Sequence, residues 1–165
     1  MLQQHATLLS AMVAFDRGDA KRIQHFVKVY AFAATIAANE NLDPATTFVL
    51  ETAAILHDIG IHPSEALYGD CSGKHQEELG PGKARELLTS LGTYTPQEIN
   101  RVCFLIARHH TYTNVEGLDW QILLEADFLV NSFEDNMDKQ AVCRFRDKVF
   151  KTASGKRLLN TMWGL

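Results

Sequence analysis

Histidines and carboxylates stand in this chain where a hydrophobic core is expected. His57 and Asp58 are adjacent at the end of the apolar run Ala53-Ala54-Ile55-Leu56, and Gly60 follows two residues later. The run reads as the last turns of a helix, with Gly60 as the left-handed residue just past its end. Asp58 then sits where the helix dipole disfavours a carboxylate by about 0.3–1 kcal/mol. A cation beside it would offset that cost; the plainer alternative is His57 as a cap and Asp58 paired with an arginine. Asp127 interrupts the apolar stretch from Ile122 to Val130, on the face of Leu123, Leu124 and Val130. A buried carboxylate needs a proton, a hydrogen-bonded partner or a metal. Glu125, about 200° around the helix from Asp127, is expected in solvent.

His25 shares a face with Val29, Phe32 and Ile36, so its ring points to the core, as a ligand or as a satisfied core histidine. Together His25, His57, Asp58 and Asp127 offer two imidazoles and two carboxylates from three helices. That donor set suits an octahedral divalent ion such as Mn, Fe, Ni or Mg better than a closed structural zinc site. Such an ion would activate water, polarise phosphorus and orient attack on a phosphate ester. His109-His110 closes an apolar helical stripe, and His75 lies in or just beyond an irregular segment; each could reach the site or lie on the surface. Lys74, Arg108 and Lys28 are the cations nearest in sequence and could bind phosphate, with a solvated surface as the alternative. Tyr112 and Tyr68 could stack a base.

The elements that must position these residues read as helices throughout. Thr7–Phe15 forms a first short helix. Asp19 caps a long one from Ala20 to about Asn39, and Asp43-Pro44 opens the helix that ends at His57-Asp58. Ile61–Lys74, with Pro63, Gly69 and Gly73, reads as irregular. Pro81–Leu91 is helical and closed by Gly92. Thr95-Pro96-Gln97-Glu98 is a capping box that starts the helix carrying His109-His110. Trp120–Phe133, Asp138 to about Phe150 and a short tail after Gly155 complete an all-α bundle of about seven or eight helices. The chain is expected to be one domain over residues 1–165, with a motif core of about 22–134 on which C-terminal helices over 138–163 pack.

A net charge of −4 argues against a nucleic acid polymer as partner. Three well-separated cysteines read as reduced thiols. Neither a basic leader nor an apolar run of spanning length is present, so the expectation is a cytoplasmic protein with no membrane association.

The order His25, His57-Asp58, Asp127 resembles the HD superfamily of metal-dependent phosphohydrolases. The long helix bearing His25, "AAILHDIG" and "LLEADFLVN" carry the likeness from Arg22 to Glu134. The resemblance implies an all-α fold and a divalent ion (Mn, Fe, Ni, Mg or Zn) held by His25, His57, Asp58 and Asp127. It also implies hydrolysis of a small phosphorylated substrate, of nucleotide type, with Asp58, His109 and His110 in the chemistry. His75, His109 and His110 resemble the extra histidines of a subgroup that binds two ions, bridged by Asp58. A homo-oligomer is compatible with the family. There are departures. Ile61 stands where many relatives carry lysine or glutamate, so Glu65 or Asp70 would have to supply an acid. The extra histidine of the two-ion subgroup precedes a glycine by about four residues, whereas Gly80 is five after His75. No Gly-Tyr-Pro follows His109-His110. A metal- or nucleotide-binding sensor of low turnover is the alternative function.

Overall fold

The computed structural model describes residues 1–165 and contains helices only. They are α1 (Gln3–Phe15), α2 (Ala20–Asn39), α3 (Pro44–Leu56), α4 (Ile61–Tyr68), α5 (Gly73–Leu91), α6 (Pro96–Ile106), α7 (Leu118–Glu134), α8 (Lys139–Val149) and α9 (Ala153–Trp163). The start signals work as the sequence implies. Asp19 and Asp43 accept from the backbone N–H groups of Arg22 and Thr46, and Thr95 with Glu98 closes a reciprocal capping box.

The central element is α7. Every residue from Asp119 to Val130 is buried, so the helix is enclosed on all sides over this stretch. It packs on α2 and α3, and α3 packs in turn on α6, α2 and α1. Helix α5 lies along α6 and α4, while α8 and α9 pair and α9 closes on α7 and α2. No helix is long and apolar enough to cross a membrane.

Four local expectations are corrected. The segment after the His-Asp pair is not irregular: Ile61–Tyr68 is helical and stops at left-handed Gly69, φ 76°. Pro63 falls in the first turn of α4, where a missing N–H costs no bond. Helix α5 begins at Gly73 rather than Pro81 and runs through Pro81. Proline inside a helix costs about 3 kcal/mol, which packing against α6 and α4 outweighs. Gly60 is not left-handed: its φ is −75°. Its lack of a side chain serves approach instead, because a Cβ there would stand 2.7 Å from the Gln76 carbonyl oxygen and 3.0 Å from Gly80 Cα.

Glu125 is buried, not solvated. From Asp119 to Val130 helix α7 has no solvent face, so turning about 200° away from Asp127 leads to another part of the interior. There Glu125 Oε1 accepts from Gln121 Nε2 at 2.7 Å and from the backbone N–H groups of Lys151 and Thr152 at 2.6 and 3.0 Å. Its Oε2 accepts from the Thr152 hydroxyl. The carboxylate thereby fixes the entry to α9.

Candidate metal centre

His25 projects from the second turn of α2, Asp127 from the middle of α7, and His57 and Asp58 from the turn that ends α3. Four ligand atoms converge. His25 Nε2 lies 3.1 Å from His57 Nε2, 3.2 Å from Asp127 Oδ1 and 3.4 Å from Asp58 Oδ2. His57 Nε2 lies 3.4 Å from Asp58 Oδ2 and 3.5 Å from Asp127 Oδ1.

The outer edges of the rings determine what the inner edges can do. His57 Nδ1 is 2.8 Å from the Ala54 carbonyl and His109 Nδ1 is 2.7 Å from the Ile106 carbonyl. Carbonyls only accept, so both Nδ1 atoms carry the proton. Each ring thereby satisfies a carbonyl left open at its own helix end. His25 Nδ1 is 2.9 Å from Glu134 Oε2 and donates in the same way. With Nδ1 protonated, the neutral rings turn Nε2 lone pairs inward.

The centre of the cluster therefore consists of acceptors: two imidazole nitrogens and two carboxylate oxygens. Acceptors this close need a cation or a proton among them, and a divalent ion fits the donor set. In the metal-free chain a proton fills that role. Burial alone would depress the His57 pKa, but the Asp58 carboxylate beside it and Asp127 outweigh this and raise it to about 9. Burial would likewise push Asp58 and Asp127 up, yet the neighbouring histidines hold both well below the usual carboxylate range. Asn131, one turn after Asp127, donates to Asp127 Oδ1 at 2.8 Å.

A second group shares Asp58. Its Oδ1 is 3.5 Å from His109 Nε2, and Asp58, His109 and His110 offer ligand atoms within reach of one ion. Gln76 completes the group. Its Nε2 donates to the Cys71 carbonyl at 2.7 Å, which turns Oε1 to within 3.3 Å of both His109 Nε2 and His110 Nε2. His109 has spent its proton on Ile106, so its Nε2 and Gln76 Oε1 form another pair of facing acceptors. Burial, then His109, push the His110 ring down to about 4, leaving it neutral near pH 7.

His75 lies apart: Nδ1 is 2.7 Å from Asp70 and the ring stacks on Tyr68 at 3.9 Å. Gln76, four residues before Gly80, occupies the place that the sequence pointed to through His75. Counting back from Gly80 was the available signal.

The cluster opens into a cavity of about 450 Å³ whose lining includes His25, Asp58, His110, Gln76, Lys21 and Arg22. Arg22, one turn before His25, is held by Asp19 Oδ2 at 2.7 Å and Glu65 Oε1 at 2.8 Å. Lys74, Arg108 and Tyr112 do not line this cavity. The Arg108 guanidinium stacks 4.0 Å from the Phe104 ring centroid, Lys74 is exposed on α5, and Tyr112 sets its ring edge-on to Phe145. Lys28 is paired with Glu134, and Tyr68 donates to Glu78 at 2.9 Å. Ile61 lines the cavity, whereas Glu65 and Asp70 are engaged with Arg22 and His75. Sequence reasoning missed Arg22, Lys21, Gln76, Asn131 and Glu134; helical spacing from His25 and Asp127 would have found all but Gln76.

The HD domain model matches residues 22–144, and the chain belongs to the HD domain family. A crystal structure of a predicted HD superfamily hydrolase from an uncultured Thermotogales bacterium is similar over 99% of this chain and 85% of that one. The TM-score is 0.66 and the identity 26%. No curated protein matches the chain. Fold and family together define a metal-dependent hydrolase class.

Proposed function

We propose that the chain is a metal-dependent phosphohydrolase acting on a small phosphate ester. The observation that carries this reading is the meeting of His25 Nε2, His57 Nε2, Asp58 Oδ2 and Asp127 Oδ1, four acceptors 3.1–3.5 Å apart along five of their six edges. A divalent ion held there, of the Mn, Fe, Ni, Mg or Zn type, supplies an acidified water and a polarised phosphate oxygen. Asp58 would serve both this group and the His109, His110 and Gln76 group, which supports two ions rather than one.

Around that centre the chain's own residues divide the remaining work. Arg22, kept in place by Asp19 and Glu65, and Lys21 present positive charge to an anionic substrate. His110 borders the cavity and is placed to hydrogen-bond a phosphate or leaving-group oxygen. No Phe, Tyr or Trp lines the cavity, so a nucleotide substrate would be held through its phosphate and sugar, with the base directed outward. Nucleoside monophosphates and sugar phosphates are the classes to screen first.

The test is Asp58→Ala, which removes a ligand from both groups. Native protein loaded with Mn²⁺ or Co²⁺ is expected to release phosphate from simple monoesters, and Asp58→Ala to lose both bound ion and turnover. Retained turnover in that variant overturns the mechanism. Native protein that binds ion and nucleotide without releasing product would favour a sensor.

A further inference from the structure

Glu134 is the last residue of α7 and stands two turns beyond Asp127, so both carboxylates share one face of the helix. On α2, Lys28 stands one turn beyond His25. Where the two helices pack, these four residues interlock. His25 Nε2 meets Asp127 Oδ1 at 3.2 Å, and His25 Nδ1 meets Glu134 Oε2 at 2.9 Å. Lys28 Nζ is ion-paired with the other oxygen, Glu134 Oε1. The Glu134 side chain is only 12% exposed, so water competes little for its oxygens.

The three inward-facing imidazoles are held differently. His57 and His109 are each fixed by a neutral backbone carbonyl of their own helix end. His25 lies within a continuous helix whose carbonyls are already bonded, so nothing of its own backbone is free to orient it. A side chain from another helix supplies the acceptor, and it carries a charge. A carboxylate behind a ligating imidazole fixes the ring's tautomer and makes the inner nitrogen a stronger donor to an ion.

We propose that Glu134, clamped by Lys28, is a positioning residue for the metal centre: it holds the His25 ring with Nδ1–H outward and strengthens Nε2 as a ligand. The proposal rests on the metal-centre reading above. The competing role is a plain staple between α2 and α7. A staple governs the stability of the metal-free chain, whereas a positioning residue governs affinity for the ion.

The experiment titrates Co²⁺ alone into metal-free native protein, Glu134→Gln, Glu134→Asp and Lys28→Met by calorimetry. Thermal melting of each metal-free form is recorded beside it. Glu134→Gln keeps the shape and loses the charge, and is expected to weaken the tighter site by about 10–100-fold with little change in metal-free melting. Glu134→Asp should recover part of that loss, and Lys28→Met should weaken binding by a smaller factor. Native affinity in Glu134→Gln overturns the proposal while leaving the metal centre standing. Absence of binding in native protein overturns the metal-centre reading and this inference together. If Glu134→Gln does not fold, native affinity in both Lys28→Met and Glu134→Asp overturns it.

Discussion

At the scale of single residues, the site is governed by where each imidazole keeps its proton. His57 and His109 give theirs to helix-end carbonyls, which leaves the His57 lone pair facing Asp58 and Asp127 and the His109 lone pair facing Asp58. The raised His57 pKa of about 9 has two consequences of opposite sign. An entering ion must displace that proton, so apparent metal affinity should strengthen as pH rises from 6.5 toward about 9 and level off above. The same raised pKa lends the metal-free fold a stability that is complete below 6.5 and lost as pH rises through about 9. Calorimetric titrations at several pH values, with thermal melts of metal-free and loaded protein, should show the two forms diverging across that range. Parallel melts would remove His57 from the account.

At the scale of elements, the decisive contact is the approach of α5 to the turn after His57-Asp58. Gly60 and Gly80 meet there without side chains, and this closeness delivers Gln76 to the histidine pair. A Cβ on Gly60 has only backbone to meet, so neither side can yield by a rotamer change. Gly60→Ala should therefore cost about 1–3 kcal/mol and push α5 outward. Binding at the Gln76 group should weaken more than binding at the His25 group. Chemical denaturation and ion stoichiometry measured together check this; unchanged stability and two native affinities would show that α5 accommodates the methyl.

At the scale of the whole molecule, α7 serves as both core and scaffold. One face presents Asp127, Asn131 and Glu134 to the site, and another buries Glu125 against the start of α9. Removing Glu125 leaves the Thr152 hydroxyl and the backbone N–H groups of Lys151 and Thr152 without their acceptor, while Gln121 keeps only its bond to the Val149 carbonyl. Glu125→Ala is expected to cost on the order of 3–5 kcal/mol, a large share of the 5–15 kcal/mol typical of a domain's stability. The loss should appear as a lowered denaturation midpoint, with ion affinity per folded molecule little changed. A midpoint close to native would mean that the α9 entry does not depend on this carboxylate.

The sequence by itself determined most of the helices and singled out the four polar side chains that meet in the core. Asp19, Asp43-Pro44 and the Thr95 capping box act through neighbours three residues away, so their signals are local and legible. His25, His57-Asp58 and Asp127 stood out because polar residues broke apolar faces, which only a partner in the core could explain. Tertiary structure decided the rest. Pro63 and the Gly-Pro-Gly around Pro81 spoke locally against helix, and packing against neighbouring helices overrode them. Glu125 lies on the side of α7 away from Asp127, and only the full set of packed helices shows that this side too is interior. Gln76, Arg22 and Glu134 gain their meaning from side chains 33, 43 and 109 positions away. No local pattern encodes such distances, because helical periodicity tells which face a residue occupies and not what that face will meet.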